Sequence, residues 1–359
     1  MESPYSTTYT GARAKFMEAA RACHATIATR LLAALGPSGE ELATDTAWVG
    51  PITAHRVLVT TSATHGVEGF FGSATQVEWM RRHGAEALPQ DVAALHIHAI
   101  NPYGFAWMRR TNEGNVDINR NWINFAEPLP INPLYEELSN DLCPADWSET
   151  TQQHTQQRLM AWIGQHQFAE FKRAVTEGQH THPKGLFFSG LAPSWSRNTL
   201  TQILQSSLSE ASRVCVIDFH TGLGPYGYAE PIIGQPRSAA AFNRTRAWIG
   251  AAARSLYGDG SVSAEIKGDC MSMLPSLLPR AIVDCVALEC GVRPELEVLN
   301  AMRADAWLHA HGDPRSALGR QISQTLKGVF HSDDALWGGM ALGQGLAACR
   351  AALSFLSEG

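Results

Sequence analysis

Apolar residues in this chain fall into short unbroken runs, separated by longer stretches in which they recur every three or four positions. The runs "HRVLVTTSA" (55–63), "AALHIHAINP" (93–102), "RVCVIDFH" (213–220) and "AIVDCVALEC" (281–290) have the length and branched content of buried strands. Helical spacing marks 10–35, where Phe16, Ala20, Cys23, Ile27 and Leu31 line up. It also marks about 73–85, 131–178, 198–209, 236–257, 294–308, 315–329 and 334–356. Strands alternating with helices predict an α/β fold around a largely parallel or mixed sheet. The stretch 126–212 is rich in Gln, His and Trp and contains "GQHTHPKGLFFSGLAPSWSRN" (178–198). Its Gly, Pro and Ser predict an ordered surface loop leading into the helix at 198–209. We read 126–212 as an insertion within one domain spanning 1–359, because no internal repeat or low-complexity linker divides the chain.

With 359 residues, 45% hydrophobic and 17% charged, the chain can bury a large core as a globular protein. A net charge of −6 without clustered Lys or Arg argues against a nucleic-acid partner. The N-terminal 35 residues read as an amphipathic helix of the fold rather than a signal peptide, and no apolar run is long enough to span a bilayer. Seven cysteines form no CxxC pair, and Cys215 and Cys285 sit inside apolar runs as small reduced hydrophobes. A cytoplasmic protein is the expectation, without a membrane partner; composition leaves the oligomeric state open.

Chemistry enters where the strands end. The first run leads to His65 and Glu68, and the second into "NPYGFAWMRRTNEGNVDINRNW". The third ends in Asp218 and His220, and the fourth in Glu289. Each feature has an ordinary reading, whether a polar turn, a satisfied strand-end histidine or solvated loop arginines. Ligands in open α/β sheets, however, bind at the carboxyl ends of strands, so these groups could converge on one crevice. An ionised Glu289 in an apolar run also needs a partner or a role. Together, two histidines and a glutamate suit zinc, with water in the fourth position and a second glutamate as base.

At these residues the chain resembles the M14 zinc metallocarboxypeptidases. "H65-G-V-E68", "M-R109-R-T", "D117-I-N119-R120-N-W122", "D218-F-H220" and "L-E289" follow in the order and character of that family, over about residues 50–295. The D-x-N-R-N-W element is the most specific part. "DFHTGLGPYG" and "GQHTHPKGLFFSG…PSWSRNTL" are similar to the DUF2817 branch. The D-x-H form of the third ligand resembles deacylase members such as aspartoacylase and succinylglutamate desuccinylase.

The resemblance implies a mixed, twisted sheet of about eight strands flanked by helices, with the insertion near the mouth of the site. It implies one zinc per chain held by His65, Glu68 and His220, with Asp117 fixing the His65 tautomer. Glu289 would be the general base, and alignment of "MRRT" makes Arg109, rather than Arg110, the group that polarises the scissile carbonyl. Asn119 and Arg120 would grip a substrate carboxylate. Tyr226, Tyr228 and Tyr257 lie between His220 and Glu289, where the carboxypeptidases carry a mobile tyrosine, though none has a matching context. The expected activity is hydrolysis of an amide bond beside a carboxylate, in a small peptide or an N-acyl amino acid. The rivals are a deacylase or esterase on the same zinc and a metal-binding protein without catalysis. A serine hydrolase is disfavoured, since no G-x-S-x-G elbow occurs. The loop 178–198 is expected to approach the zinc pocket, with His182 nearer than His180; the alternatives are a self-packed surface loop and a second metal site at that H-x-H pair.

Overall fold

The apolar runs lie side by side in the sheet because both of their faces are covered. A computed structural model describes residues 2–84, 88–258 and 260–358. Its strands are β1 (Thr26–Leu35), β2 (Glu41–Val49), β3 (Arg56–Thr61), β4 (Val92–His98), β5 (Arg213–Gly222), β6 (Ala229–Ile233), β7 (Arg254–Ser255) and β8 (Ile282–Gly291). They form one mixed eight-stranded sheet in the order β1-β2-β4-β3-β5-β8-β6-β7. β3 pairs in parallel with β4 and β5, and β5 in parallel with β8; β2, β1 and β6 add antiparallel pairings.

Successive residues of the central strands serve opposite faces. Leu58, Cys215 and Ile217 join a core with α1 (Tyr9–Ala22), α2 (Gly69–Arg82), α8 (Ala240–Ile249) and α12 (Ala335–Ser357). Val57, Val59, Val214 and Val216 pack beneath α7 (Trp195–Ser207) and α9 (Cys270–Leu277). Burial on both faces gives near-continuous apolar runs instead of alternation. A third core joins α4 (Pro133–Leu142), α5 (Glu149–His166), α6 (Phe168–Thr176), α10 (Glu295–His311) and α11 (Ala317–Phe330). The short α3 (Pro102–Ala106) follows β4.

Four sequence expectations change. The helix expected over 10–35 stops at Ala22, and 26–35 is the edge strand β1. His24 adopts a left-handed φ of +56°, and the β-branched Thr26, Ile27 and Thr29 then favour extended backbone. The apolar spacing continued across the break by coincidence, and Leu31 and Leu35 are more than half exposed. The helix expected over 236–257 ends at Ile249, where Gly250 turns the chain at φ +113° into β7. The 131–178 stretch divides into α4, α5 and α6, and the helix expected to about 85 ends at Arg82, with residue 85 itself outside the described residues. Among the described residues no helix is long and apolar enough to cross a membrane.

Candidate active site

From β3 the chain passes through α2 to β4 on one side, and from β5 it passes to β6, β7 and β8 on the other, so the strand order reverses between β3 and β5 and opens a crevice at their carboxyl ends. There the turn His65–Glu68 enters α2. Gly66 is required by contact: a Cβ on it would lie 2.1 Å from the Gly104 carbonyl carbon. Val67 N–H donates to the Arg109 carbonyl, which ties this turn to the loop after α3. In β5, residues 218 and 220 share a face, and the parallel register sets His220 opposite Glu289 of β8.

Three buried side chains meet in the crevice. His65 Nδ1 lies 3.2 Å from His220 Nδ1 and 3.1 Å from Glu68 Oε1, and His220 Nδ1 lies 3.1 Å from Glu68 Oε2. Among the described residues this is the one group of His, Cys, Asp or Glu with the proximity to hold a metal. The fit to zinc can be tested on spacing. Two nitrogens bound tetrahedrally at 2.0–2.1 Å stand about 3.3 Å apart, close to the separation of the two imidazoles. Each ring is also pinned from behind. His65 Nε2 faces Asp117 Oδ1 at 3.1 Å, and His220 Nε2 donates to Asp218 Oδ2 at 2.7 Å. With its Nε2 protonated toward Asp218, His220 points its Nδ1 lone pair into the cluster, as metal binding needs, whereas His65 Nε2 is shared between Asp117 and Arg110 Nη2, which lies 2.9 Å away. Asp218 is itself held by the hydroxyls of Thr61 (2.6 Å) and Thr64 (2.8 Å).

The electrostatics follow from burial opposed by dense opposite charge. Burial alone would raise the Glu68 carboxyl, but His65, His220 and Arg110 outweigh it and hold Glu68 far below the carboxylate range. Asp117 is held down against burial in the same way by Arg120, Arg110 and His65. For His220 burial is outweighed by Asp218 and Glu68, so its imidazole keeps a proton well above the ordinary value when only protein surrounds it. Glu289 behaves differently. Burial and the neighbouring Glu68 raise it to about 7, although Leu223 N–H donates to its Oε1 at 2.9 Å. One carboxylate is kept ionised beside the imidazoles and another is poised near neutrality, a division of the kind that separates a ligand from a base.

These groups open on a cavity of about 120 Å³ lined by His65, Arg110, Asn119, Arg120, His220 and Glu289. Arg110 reaches the cluster, its Nη1 donating to Glu68 Oε1 (2.6 Å) and its Nε to Asp117 Oδ2 (3.2 Å). Arg109 does not: its Nε donates to Asp305 Oδ2 (3.1 Å) and its Nη2 to Asn115 Oδ1 (2.9 Å), away from the cavity. The two consecutive side chains point in opposite directions, and the position expected of Arg109 is filled by Arg110. Asn119 Oδ1 accepts from Cys270 N–H at 2.8 Å. Arg120 Nε donates to the Thr176 carbonyl at 2.7 Å, and its ion pair with Asp117 is long, at 3.8 Å. Burial lowers Arg120 to about 10, the mark of a cation short of counter-charge.

The 178–198 loop does reach the site, through Phe187 rather than a histidine. Phe187 lines the cavity in a left-handed conformation (φ +51°), with the Arg110 and Arg120 guanidiniums 5.5 and 5.2 Å from its ring centre. Such a backbone costs about 1–3 kcal/mol in a bulky residue and persists only where the surroundings impose it. His182 instead lies at the surface, its Nε2 2.8 Å from Glu136 Oε2, and lines a separate cavity; His180 Nδ1 contacts the Gly190 carbonyl. Tyr226 and Tyr228 are exposed, Tyr257 lies beside Ser272, and among the described residues no tyrosine lines the cavity. Sequence reasoning singled out neither Phe187, which no motif marks, nor the part played by Asp218, which the period of two in β5 could have shown.

Comparison with known proteins bears on this arrangement. No curated protein sequence matches the chain. Among solved structures it is similar to bovine thrombin-activatable fibrinolysis inhibitor in complex with tick carboxypeptidase inhibitor, with 10% identity, 99% of this chain and 98% of that one covered, and a TM-score of 0.52. It is also similar to a metallo-carboxypeptidase from Burkholderia cenocepacia, with 11% identity, 96% and 68% coverage, and a TM-score of 0.50. At such identities the likeness is one of fold: the eight-stranded mixed sheet flanked by helices is carboxypeptidase-like. The family described as "Protein of unknown function (DUF2817)" matches residues 5–344, nearly the whole chain, and the protein belongs to that family.

Proposed function

We propose that this protein is a zinc-dependent hydrolase that cleaves an amide bond next to a substrate carboxylate. One observation carries the reading: a metal-competent His65–Glu68–His220 cluster, a carboxyl poised near 7, the half-buried Arg110 and the buried Arg120 open on one cavity. Zinc held by the three ligands would supply Lewis-acid chemistry, making water more acidic and a carbonyl more electrophilic. Glu289 accepts the proton of the attacking water and passes it to the leaving amine. Arg110 turns its donors toward the negative charge that develops on the carbonyl oxygen. Arg120, short of counter-charge, and Asn119 hold the substrate carboxylate, a task suited to a planar guanidinium. The carboxypeptidase-like fold supports this assignment, as does the order of the motifs.

We place the whole chain in one hydrolase domain in which 126–212 is an insertion forming part of the cavity wall. The seven free cysteines suit a reducing cytoplasm. The test is a metal assay of the purified protein together with hydrolysis of blocked dipeptides and their C-terminal amides. One zinc per chain and cleavage confined to free carboxylates are expected. Equal cleavage of acids and amides would remove the carboxylate grip, and full turnover after exhaustive chelation would remove the metal.

A further inference from the structure

The cavity beside the metal cluster has two apolar walls of separate origin. One continues the core that the inserted helices share with α10 and α11: Phe171 and Val175 of α6, Leu299 and Met302 of α10, and Phe330 at the end of α11. The other is a smaller group, Ile232, Leu256 and Ile266, around β6 and the chain after β7. The turn carrying Asn119 and Arg120 is stitched to the second side. Cys270 N–H donates to Asn119 Oδ1, Trp122 N–H donates to the Gly268 carbonyl, and a Cβ on Gly268 would lie 2.5 Å from the Arg120 carbonyl oxygen. The first wall starts instead beside the general base, since a Cβ on Gly222 would lie 2.9 Å from Phe330 and 3.7 Å from Glu289 Oε1.

The polar groups of this first wall are spoken for. Thr176 and Thr221 hydroxyls donate to the Lys172 and Phe330 carbonyls. At its rim Lys172 and Glu295 pair at 2.6 Å, and Lys172 also donates to the Val262 carbonyl. Beyond the edge at Thr176, where Arg120 Nε donates to the carbonyl, a charged group placed against Phe171, Val175, Leu299, Met302 and Phe330 would lose its hydration without gaining a partner.

We propose that this wall receives the acyl part of the substrate and that this part is uncharged and apolar. The substrate class is then an N-acyl amino acid with an aliphatic or aromatic acyl chain, rather than a peptide bearing an α-ammonium or a dicarboxylic acyl group. This rests on the hydrolase reading above and specifies the side of the bond that reading leaves open. Each methylene buried against the wall should raise kcat/KM about fourfold until the wall is filled.

The experiment uses the zinc-loaded protein and N-acyl-phenylalanines from acetyl to octanoyl. Alongside them runs norleucyl-phenylalanine, which has the six-carbon chain of the hexanoyl compound plus an α-ammonium. The expected result is a rise of about fourfold per carbon over the first few carbons, with hexanoyl-phenylalanine at least tenfold better than norleucyl-phenylalanine. Leu299→Ala should move the optimum to longer chains. A flat chain-length profile, an optimum unmoved in a folded Leu299→Ala protein, or preference for the norleucyl compound would overturn the assignment while leaving amide hydrolysis in place. If the zinc-loaded protein cleaves neither acyl nor peptidyl substrates, the hydrolase reading falls and this inference with it.

Discussion

Replacing Asp218 by Asn isolates what an outer carboxylate does for a metal ligand. Asp218 accepts from His220 Nε2 through Oδ2 and from the Thr61 and Thr64 hydroxyls through Oδ1. In Asp218→Asn the amide oxygen is drawn to the two hydroxyls, which leaves the NH2 group facing His220. The imidazole must then accept at Nε2 and carry its proton on Nδ1, the atom aimed at the metal. Losses of this kind weaken metal affinity by about 10–100-fold, or roughly 1.4–2.7 kcal/mol. The pH dependence tests the cause. Asp218 and Glu68 raise the His220 pKa, so in the wild-type protein metal competes with a tightly held proton, and affinity falls as pH drops below that raised value. Asp218→Asn releases the proton more easily, so its affinity begins to fall at a lower pH. The gap between the two proteins should be widest at the alkaline end of the range and narrow as the pH falls through the raised His220 value. Competition with a chromophoric zinc chelator from pH 6 to 9 measures it, with circular dichroism to confirm the fold. Wild-type affinity at the alkaline end, or a gap that widens on acidification, would refute the tautomer argument.

Outcomes for four further variants follow from the same geometry. Glu289→Gln should keep its zinc while turnover drops by about 10²–10⁴-fold; because the base must be ionised, wild-type kcat/KM should fall as pH drops through about 7, or through a lower value once a cation shares the pocket. Arg110→Met should lose turnover and, because it strips the buried carboxylates of Glu68 and Asp117 of a partner, should also lower the melting temperature. Arg109→Met should instead cost about 3 kcal/mol in denaturant unfolding, the low end for a broken buried pair because burial already raises Asp305 toward protonation; equal effects on turnover from both arginines would contradict their opposite placement. Replacing His180 and His182 together by Gln should alter neither zinc content nor turnover, as both lie off the cavity.

The parts legible in the sequence were those where one residue type does one job in a fixed local frame. His65, Glu68, His220 and Glu289 each follow an apolar run, and because the runs are central strands their ends converge. β1 and β2 were hidden for opposite reasons. β1 is an exposed edge whose leucines mimic helical spacing, while β2 buries Thr44, Asp45 and Thr46, with Asp45 neutralised by Arg13 from α1. Nothing local distinguishes Arg109 from Arg110; the choice is made by Asp305, 196 residues further on. Phe187 shows the same limit, since its role comes from two guanidiniums donated by another loop.

The loop carrying Phe187 is knitted to the loop carrying Asp117. Asp117 N–H donates to the Phe188 carbonyl, Asn121 Nδ2 to the Ser189 and Ala192 carbonyls, and Asn115 Nδ2 to those of Pro183 and Gly185. Segments joined in this way open together, so native-state hydrogen exchange should report one protection free energy for the amides of Asp117, Gln179 and Ser189. An opening on this side would also release the carboxylate that orients His65, and metal would be lost with it. On the hydrolase reading proposed above, the arginine side is the fixed wall of the site, and we assign substrate exchange to the opposite rim, where three groups, Lys172, Glu295 and the Val262 carbonyl, meet.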